Sequence, residues 1–342
     1  MNIRFRPSLQ LLVKARIALK FLLKLDFLIV LTDLQGEHGD MESFYRECIH
    51  RSVHCLSLEL TVERNIESIV RTMVIEVEQW YNCHWDFLPD ADFNYLGRIC
   101  WYSHGTIDYL ATARVLLQDV NLNHRQRFIL SYKYCLQDEQ RQPEEMFADD
   151  LTYVSRIAGL TTTLRSWMDE LRSNNPLNWK QITHEAEFGR YYRSKKIQVF
   201  SGNYLGLLYY FKKLRSPEVR YRCLYLALEK NSIRPFYLYL CLARLPDYEL
   251  DALFNRFSER NRYLIIRSFL HWPLQCIFPS IVERFRNRIS DQIYLDLFKF
   301  ILFEIFEREL LDYEYVSLVK QLWAPLSENT KRFVRENGLY PL

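Results

Sequence analysis

The stretch TVERNIESIVRTMVIEVEQWY, residues 61–81, decides the fold. Its apolar positions are Val62, Ile66, Ile69, Val70, Met73, Val74, Val77, Trp80 and Tyr81. Steps of three and four residues return to one side of a helix that turns once every ~3.6 residues. A half-buried strand needs strict alternation, which this run does not have. Thr61 suits the N-cap, and Glu63 sets a carboxylate in the first turn, where the helix dipole favours it.

The same reading extends outward. Asp86 to Asn94, with Pro89, ends this helix, and a helix to about Tyr102 is expected next. Gly105 reads as its C-terminal cap, a position that needs positive φ. Thr106 or Asp108 caps the following helix, which carries Leu110, Val115, Leu116 and Leu117. Asn121-Leu122-Asn123 breaks the pattern, and Phe128, Ile129, Tyr132 and Leu136 resume it. Pro176, Pro217 and Pro279 each stand where a helix can begin, since the first turn tolerates a missing N–H. Phe298 to Phe306 is the best strand candidate, but it continues Ile293 to Leu297 without a break and reads as helix.

Composition agrees. The chain of 342 residues contains 9 Gly and 11 Pro, against average usage of roughly 7% and 5%. Tight hairpins need Gly at positive φ, so composition favours long helices over many short strands. Hydrophobic residues at 49% and charged residues at 25% exclude a disordered or collagen-like chain. The expected fold is all-α, built of stacked antiparallel helix pairs and α-solenoid-like, over residues 41–342. Residues 1–40 read as a basic amphipathic extension. Residues 1–25 hold six basic side chains and no acid, with Arg16, Lys20 and Lys24 in one stripe. Five charges between Leu9 and Leu31 argue against a spanning helix. The stripe suits a membrane surface, a mitochondrial presequence or a terminal helix packed on the fold.

A faint internal repeat supports stacked pairs. An Arg-aromatic pair opens an apolar helix at Arg127-Phe128, Arg220-Tyr221 and Arg262-Tyr263, with Lys299-Phe300 similar. The last three are spaced by 42 and 37 residues, within the roughly 33 to 47 of helix-pair repeats. Residues 96–139 add a second signal: Trp101, then Ser103-His104-Gly105-Thr106-Ile107-Asp108, then Arg127-Phe128. This pattern resembles a group of uncharacterised arachnid helical-repeat proteins, and Val115 to Asn123 faintly resembles the second helix and loop of an ankyrin repeat. The Thr-Pro-Leu-His signature of ankyrin repeats is missing. The resemblance implies a helical fold and no chemistry.

Signatures of catalysis are not found. The sequence has no G-x-G-x-x-G, no G-x-x-x-x-G-K-[ST], no G-x-S-x-G and no H-E-x-x-H. Cys48, His50, His54 and Cys55 are the sharpest metal candidates, with the two histidines at i, i+4. Arg51 occupies the place of a metalloprotease's general base, and the preferred reading is a helix with two partly exposed histidines. Cys100 and His104, with Asp108 beyond, have the spacing of a nucleophile pair. Ile99 and Trp101 beside that thiol favour a core position. No enzyme activity, cofactor, metal or small-molecule substrate is therefore expected.

The charge distribution is more informative than the net charge of +3. Residues 190–222 hold nine basic side chains and one acid, Glu218. Arg190, Arg193, Lys195, Lys196, Lys212, Lys213 and Arg215 form the candidate surface for an anionic partner, interleaved with Tyr191, Tyr192, Tyr209 and Tyr210. Bases neutralise phosphates and aromatic faces stack on nucleobases. The preferred alternative places Leu207, Tyr209 and Tyr210 on a buried helix face with the charges simply solvated. The expected function is a non-catalytic helical scaffold for an unidentified protein partner. Nucleic-acid binding through 190–222 is the alternative, and a membrane surface is a further partner for residues 1–31. Eight cysteines without C-x-x-C spacing and no N-x-[ST] acceptor point to the cytoplasm. A mitochondrial or membrane-peripheral location follows if the extension is genuine.

Overall fold

A computed structural model describes residues 3–24, 41–84, 87–88, 95–134, 136, 205–229, 233–307 and 309–339. The protein is all-α, and among the described residues the only β pairing is an isolated bridge between Trp101 and Ile107. The chain divides into two compact units. The first comprises Met1–Gln79, Trp101–Ile107 and Arg234–Leu342, and the second Trp80–Cys100 and Asp108–Ile233.

In the first unit, α1 (Leu9–Leu22) begins at Ser8, whose side chain accepts from Leu11 N–H. Leu11, Ala15, Ala18 and Leu22 form its buried face. It packs on α2 (Met41–His54), which is followed by the long α3 (Leu60–Asn82). Ile66, Ile69, Val70, Met73 and Val77 of α3 are fully buried, as the periodicity predicts. A second, polar stripe of α3 holds the chain at 309–312. Asn65 Nδ2 donates to Leu311 O at 2.8 Å, and Leu311 N–H donates to Ser68 Oγ at 3.1 Å. Asn65 and Ser68 are buried, so these bonds meet a need that water does not reach.

The rest of the first unit is a run of short helices: α4 (Pro235–Leu242), α5 (Asp247–Arg256), α6 (Glu259–Ser268), α7 (Phe278–Phe285), α8 (Asp291–Lys299), α9 (Tyr315–Trp323) and α10 (Glu328–Glu336). Alternate helices touch: α4 packs on α6, α6 on α8, α8 on α10, and α7 on α9. One start recurs along this row, an apolar residue, a serine and an acid: Phe257-Ser258-Glu259, Ile289-Ser290-Asp291 and Leu326-Ser327-Glu328. Each serine accepts from the backbone N–H three residues on. Each preceding apolar residue is buried. The starts are also bonded to one another, because Ser290 Oγ donates to Glu259 and Thr330 Oγ1 donates to Asp291 Oδ1. Ser290 thus caps its own helix and holds the start of α6, while Thr330 of α10 holds the start of α8.

The second unit carries α11 (Tyr109–Leu117) packed on α12 (His124–Tyr134), then α13 (Leu207–Phe211) and α14 (Pro217–Glu229). Asp108 is the N-cap of α11, accepting from Ala111 N–H at 3.0 Å. Asn123 and Gln126 form a reciprocal capping box at the start of α12.

The Arg-aromatic pairs acquire a physical reason. Arg127 donates to Asp119 O at 2.9 Å, Arg220 to Leu214 O at 2.6 Å, and Arg262 to Phe254 O at 2.8 Å and Asn255 O at 3.1 Å. In each case a guanidinium in the first turns of a helix reaches back to carbonyls just before it. There the preceding helix ends or its connection presents carbonyls, of which Asp119 O also accepts from Leu122 N–H at 3.2 Å. Lys299-Phe300 does not repeat this, since Lys299 is the last residue of α8. Arg262→Ala is expected to lose about 1.5 kcal/mol of stability, the worth of one charged hydrogen-bond group. Arg262→Lys should recover little, because an ammonium lacks the fork that spans two carbonyls. Urea unfolding of the three proteins checks both statements.

One local expectation is corrected. Residues 95–102 are not helical but form turns ending in the bridge at Trp101. Their backbone groups are used across a tight turn instead, with Tyr102 N–H donating to Thr106 O and Gly105 N–H to Tyr102 O, each at 2.9 Å. Gly105 has φ +85°, as its role demanded, but it turns a loop rather than capping a helix. A Cβ at Gly105 would overlap the Met73 methyl group. Phe298–Phe306 is helical as expected, although from Phe300 to Ile305 the turns widen to a π-helix.

Candidate functional site

Two concave features stand out, both within the first unit. The larger is an apolar groove of about 670 Å³ between α7 and α9. Phe278 and Val282 form one wall, Leu318 and Leu322 the other, and Tyr294 of α8 the floor. The walls have a local origin. Phe278, Ile281, Val282 and Phe285 recur at three and four on α7, as do Tyr315, Leu318, Val319 and Leu322 on α9. The rim is polar, with Ser280, Glu283 and Gln321 exposed. Arg284 is fixed from behind by Asp247 at 2.9 Å and Asp251 at 3.7 Å.

The second feature is a cavity of about 240 Å³ lined by carboxylates and aromatic rings. Glu76 comes from α3, Arg234 and Phe236 from the start of α4, Trp272 from the chain after α6, and Asp312 and Tyr315 from the end of the 309–312 loop and α9. The π-helical turn sets Phe300, Glu304 and Ile305 on one wall. Burial pushes the Asp312 carboxyl up to about 7. Its Oδ1 faces Tyr315 OH at 2.8 Å, and its Oδ2 accepts from Gln275 Nε2 at 3.3 Å and Thr72 Oγ1 at 3.4 Å. Burial also raises Glu76, against the pull of Arg234 and of the Ile107 N–H. His271 is driven down to about 4 by burial and by Arg267, and is neutral near pH 7. Its Nδ1 donates to Arg267 O at 3.2 Å. Chemically the cavity is a proton-holding site: a carboxyl that titrates near neutrality, a neutral imidazole and a phenol.

The residues singled out in the sequence are placed as follows. Arg190, Arg193, Lys195 and Lys196 lie outside the described residues, as do Tyr191, Tyr192 and Pro176. Lys212 and Arg215 are exposed and Lys213 is half-buried. Leu207 and Tyr210 are buried. The ring of Tyr209 is covered by Lys213 Nζ at 4.1 Å and Lys212 Nζ at 5.1 Å from its centroid. Arg222 pairs with Glu218 at 2.8 Å.

His50 and His54 do share a face of α2, with their rings stacked 5.9 Å apart. They face acids of α3, His50 against Glu67 at 2.7 Å and His54 against Glu63 at 3.3 Å. Among the described residues no group of three or more His, Cys, Asp or Glu is arranged to hold a metal ion. Burial and Asp108 raise the Cys100 thiol, the opposite of nucleophile activation. His104 is buried and driven down to about 4. Sequence reasoning missed Asp312, Glu76 and His271. In the sequence Asp312 is one acid among Glu304, Glu307, Glu309 and Glu314, with nothing local to set it apart.

No protein-family model, no curated protein and no solved structure matches the chain. No helix among the described residues is long and apolar enough to cross a membrane.

Proposed function

We propose that the chain is a non-catalytic helical-repeat scaffold that receives an amphipathic helix of a partner protein in the groove between α7 and α9. The groove carries the reading. Its walls are apolar and its rim is polar, the pattern of a groove that takes the apolar face of a helix. A helix presenting apolar residues at i, i+3 and i+4 is the partner such a groove suits. The repeat reading is supported by the alternate packing of α4, α6, α8 and α10, by the bonded serine starts of α6, α8 and α10 and by the arginine clamps. Rows of helices stacked this way bury their apolar faces against neighbours and leave long surfaces for partners.

Filling the groove tests the proposal. Ser280→Trp and Gln321→Trp alter exposed rim positions, so the fold should tolerate them. Affinity capture from the source extract is compared for the full chain and the double variant, with nuclease and at moderate salt. A protein that resists both treatments with the native chain and is lost at least tenfold with the filled groove is the expected result. Capture indifferent to the filling, or abolished by nuclease, overturns the proposal. The second outcome moves the working site to the basic surface of Lys212, Lys213 and Arg215.

A further inference from the structure

We propose that the solvent-facing side of α1 is a docking surface for an anionic lipid bilayer. Ala15, Ala18, Leu11 and Leu22 turn one side of this helix into the first unit. At ~100° per residue, Leu9, Val13, Arg16, Lys20, Leu23 and Lys24 fall together on the opposite side. All six are exposed, Leu9 at 77% and Val13 and Leu23 at 49% each. The buried side anchors the helix on a folded body, so the exposed side is a fixed, straight stripe.

Its chemistry selects the occupant. From residue 3 to residue 24 the sequence has six basic side chains and no acid. Charge complementarity therefore requires a negative partner. The three large apolar side chains interleaved with the bases decide among negative partners. A phosphate backbone or an acidic protein surface gives exposed Leu and Val nothing to enter. A bilayer interface offers headgroup charge and acyl carbon at adjacent depths, and basic amphipathic helices lie in that boundary. The helix is 14 residues long and lies along the surface rather than crossing it.

The test uses the full chain and sedimentation with vesicles of pure phosphatidylcholine or of phosphatidylcholine mixed with phosphatidylserine. Binding to the mixed vesicles and not to the pure ones is expected, weakening as salt is raised. Each basic side chain near such a surface contributes roughly fivefold, so Arg16→Glu with Lys20→Glu should lower the partition coefficient by more than about twentyfive-fold. Leu9→Ser with Val13→Ser keeps the charge and should still lower it several-fold. Circular dichroism verifies that both variants keep native helix content. No binding to the mixed vesicles overturns the proposal. So does binding that the serine variants leave unchanged, because the surface is then electrostatic only, and retention on duplex DNA or an acidic polypeptide identifies the class it serves.

Discussion

Acidification from neutral pH to about pH 4.5 is expected to remove about 2.7 kcal/mol of stability through His84 alone. The side chain is fully buried in the second unit, between the Trp80 ring at 4.6 Å and the Tyr134 ring at 5.8 Å. Its Nδ1–H donates to Trp80 O at 2.6 Å, which leaves Nε2 to accept from Tyr134 OH at 2.8 Å. Both nitrogens are thus satisfied in the neutral ring. Burial, with Lys133 adding to it, drives the pKa down from 6.5 to about 3. The unfolded chain takes up a proton below pH 6.5, while the folded chain does not until about pH 3. Stability is therefore full above 6.5 and falls as pH drops from there towards 3. Two pH units inside that window give the figure above, at about 1.36 kcal/mol each.

His84→Gln removes the titrating group and keeps a donor and an acceptor. Urea unfolding of both proteins at about pH 7 and about pH 4.5 is the measurement. The variant should be less stable at neutral pH and lose about 2.7 kcal/mol less than the native chain on acidification. Equal acid losses in the two proteins would refute the assignment. His104 and His271 work in the same direction in the first unit, since burial depresses both to about 4.

The sequence made the helices legible where one helix face answers to one core. The run at 61–81 became α3, Leu60–Asn82, with Ile66 to Trp80 of its apolar stripe buried and Val62 and Tyr81 half-buried at its ends. Asp108 proved to be the cap because a carboxylate there meets the Ala111 N–H, a local and therefore readable bond. Gly105 was legible as a positive-φ residue but not as a loop turn, because the difference lies in the pairing of Tyr102 with Thr106 across it. The Arg-aromatic pairs were visible as a pattern, while their reason, carbonyls six to eight residues back, needs the preceding helix to end nearby. The cavity was not legible at all. Glu76 and Asp312 are separated by most of the chain, and Asp312 shares its composition with the exposed Glu307 and Glu314. What distinguishes it is burial against Thr72, Gln275 and Tyr315, and no local pattern encodes that. The groove is intermediate: each wall follows a helical period, but the gap between the walls depends on how α7 and α9 pack.

Asp312→Asn is expected to stabilise the protein at about pH 8 by ~2 to 4 kcal/mol and to change little near pH 4. The sign is opposite to that of the histidines. Asp312 has its pKa raised from 3.8 to about 7, so the folded chain holds a proton that the unfolded chain releases. Below 3.8 the carboxyl is protonated in both states and no penalty exists. Stability attributable to this group is lost as pH rises from 3.8 through 7, and the full penalty stands above 7. The upper figure is the whole shift at about 1.36 kcal/mol per unit, and the lower allows for relaxation around a buried charge. Asparagine fits the network of the protonated acid. Its amide N–H can donate to Tyr315 OH, which then donates to Leu270 O at 3.1 Å, while its oxygen accepts from Gln275 and Thr72. The native carboxylate, once ionised, competes with Leu270 O for the single Tyr315 proton. Thermal unfolding of both proteins across about pH 4 to pH 8 gives the difference curve. A gap that opens with rising pH and levels off above about 7 is the expected form. A variant that is weaker at every pH would show that Asp312 is ionised in the fold and held by its hydrogen bonds, and the cavity would then carry a permanent charge rather than a proton.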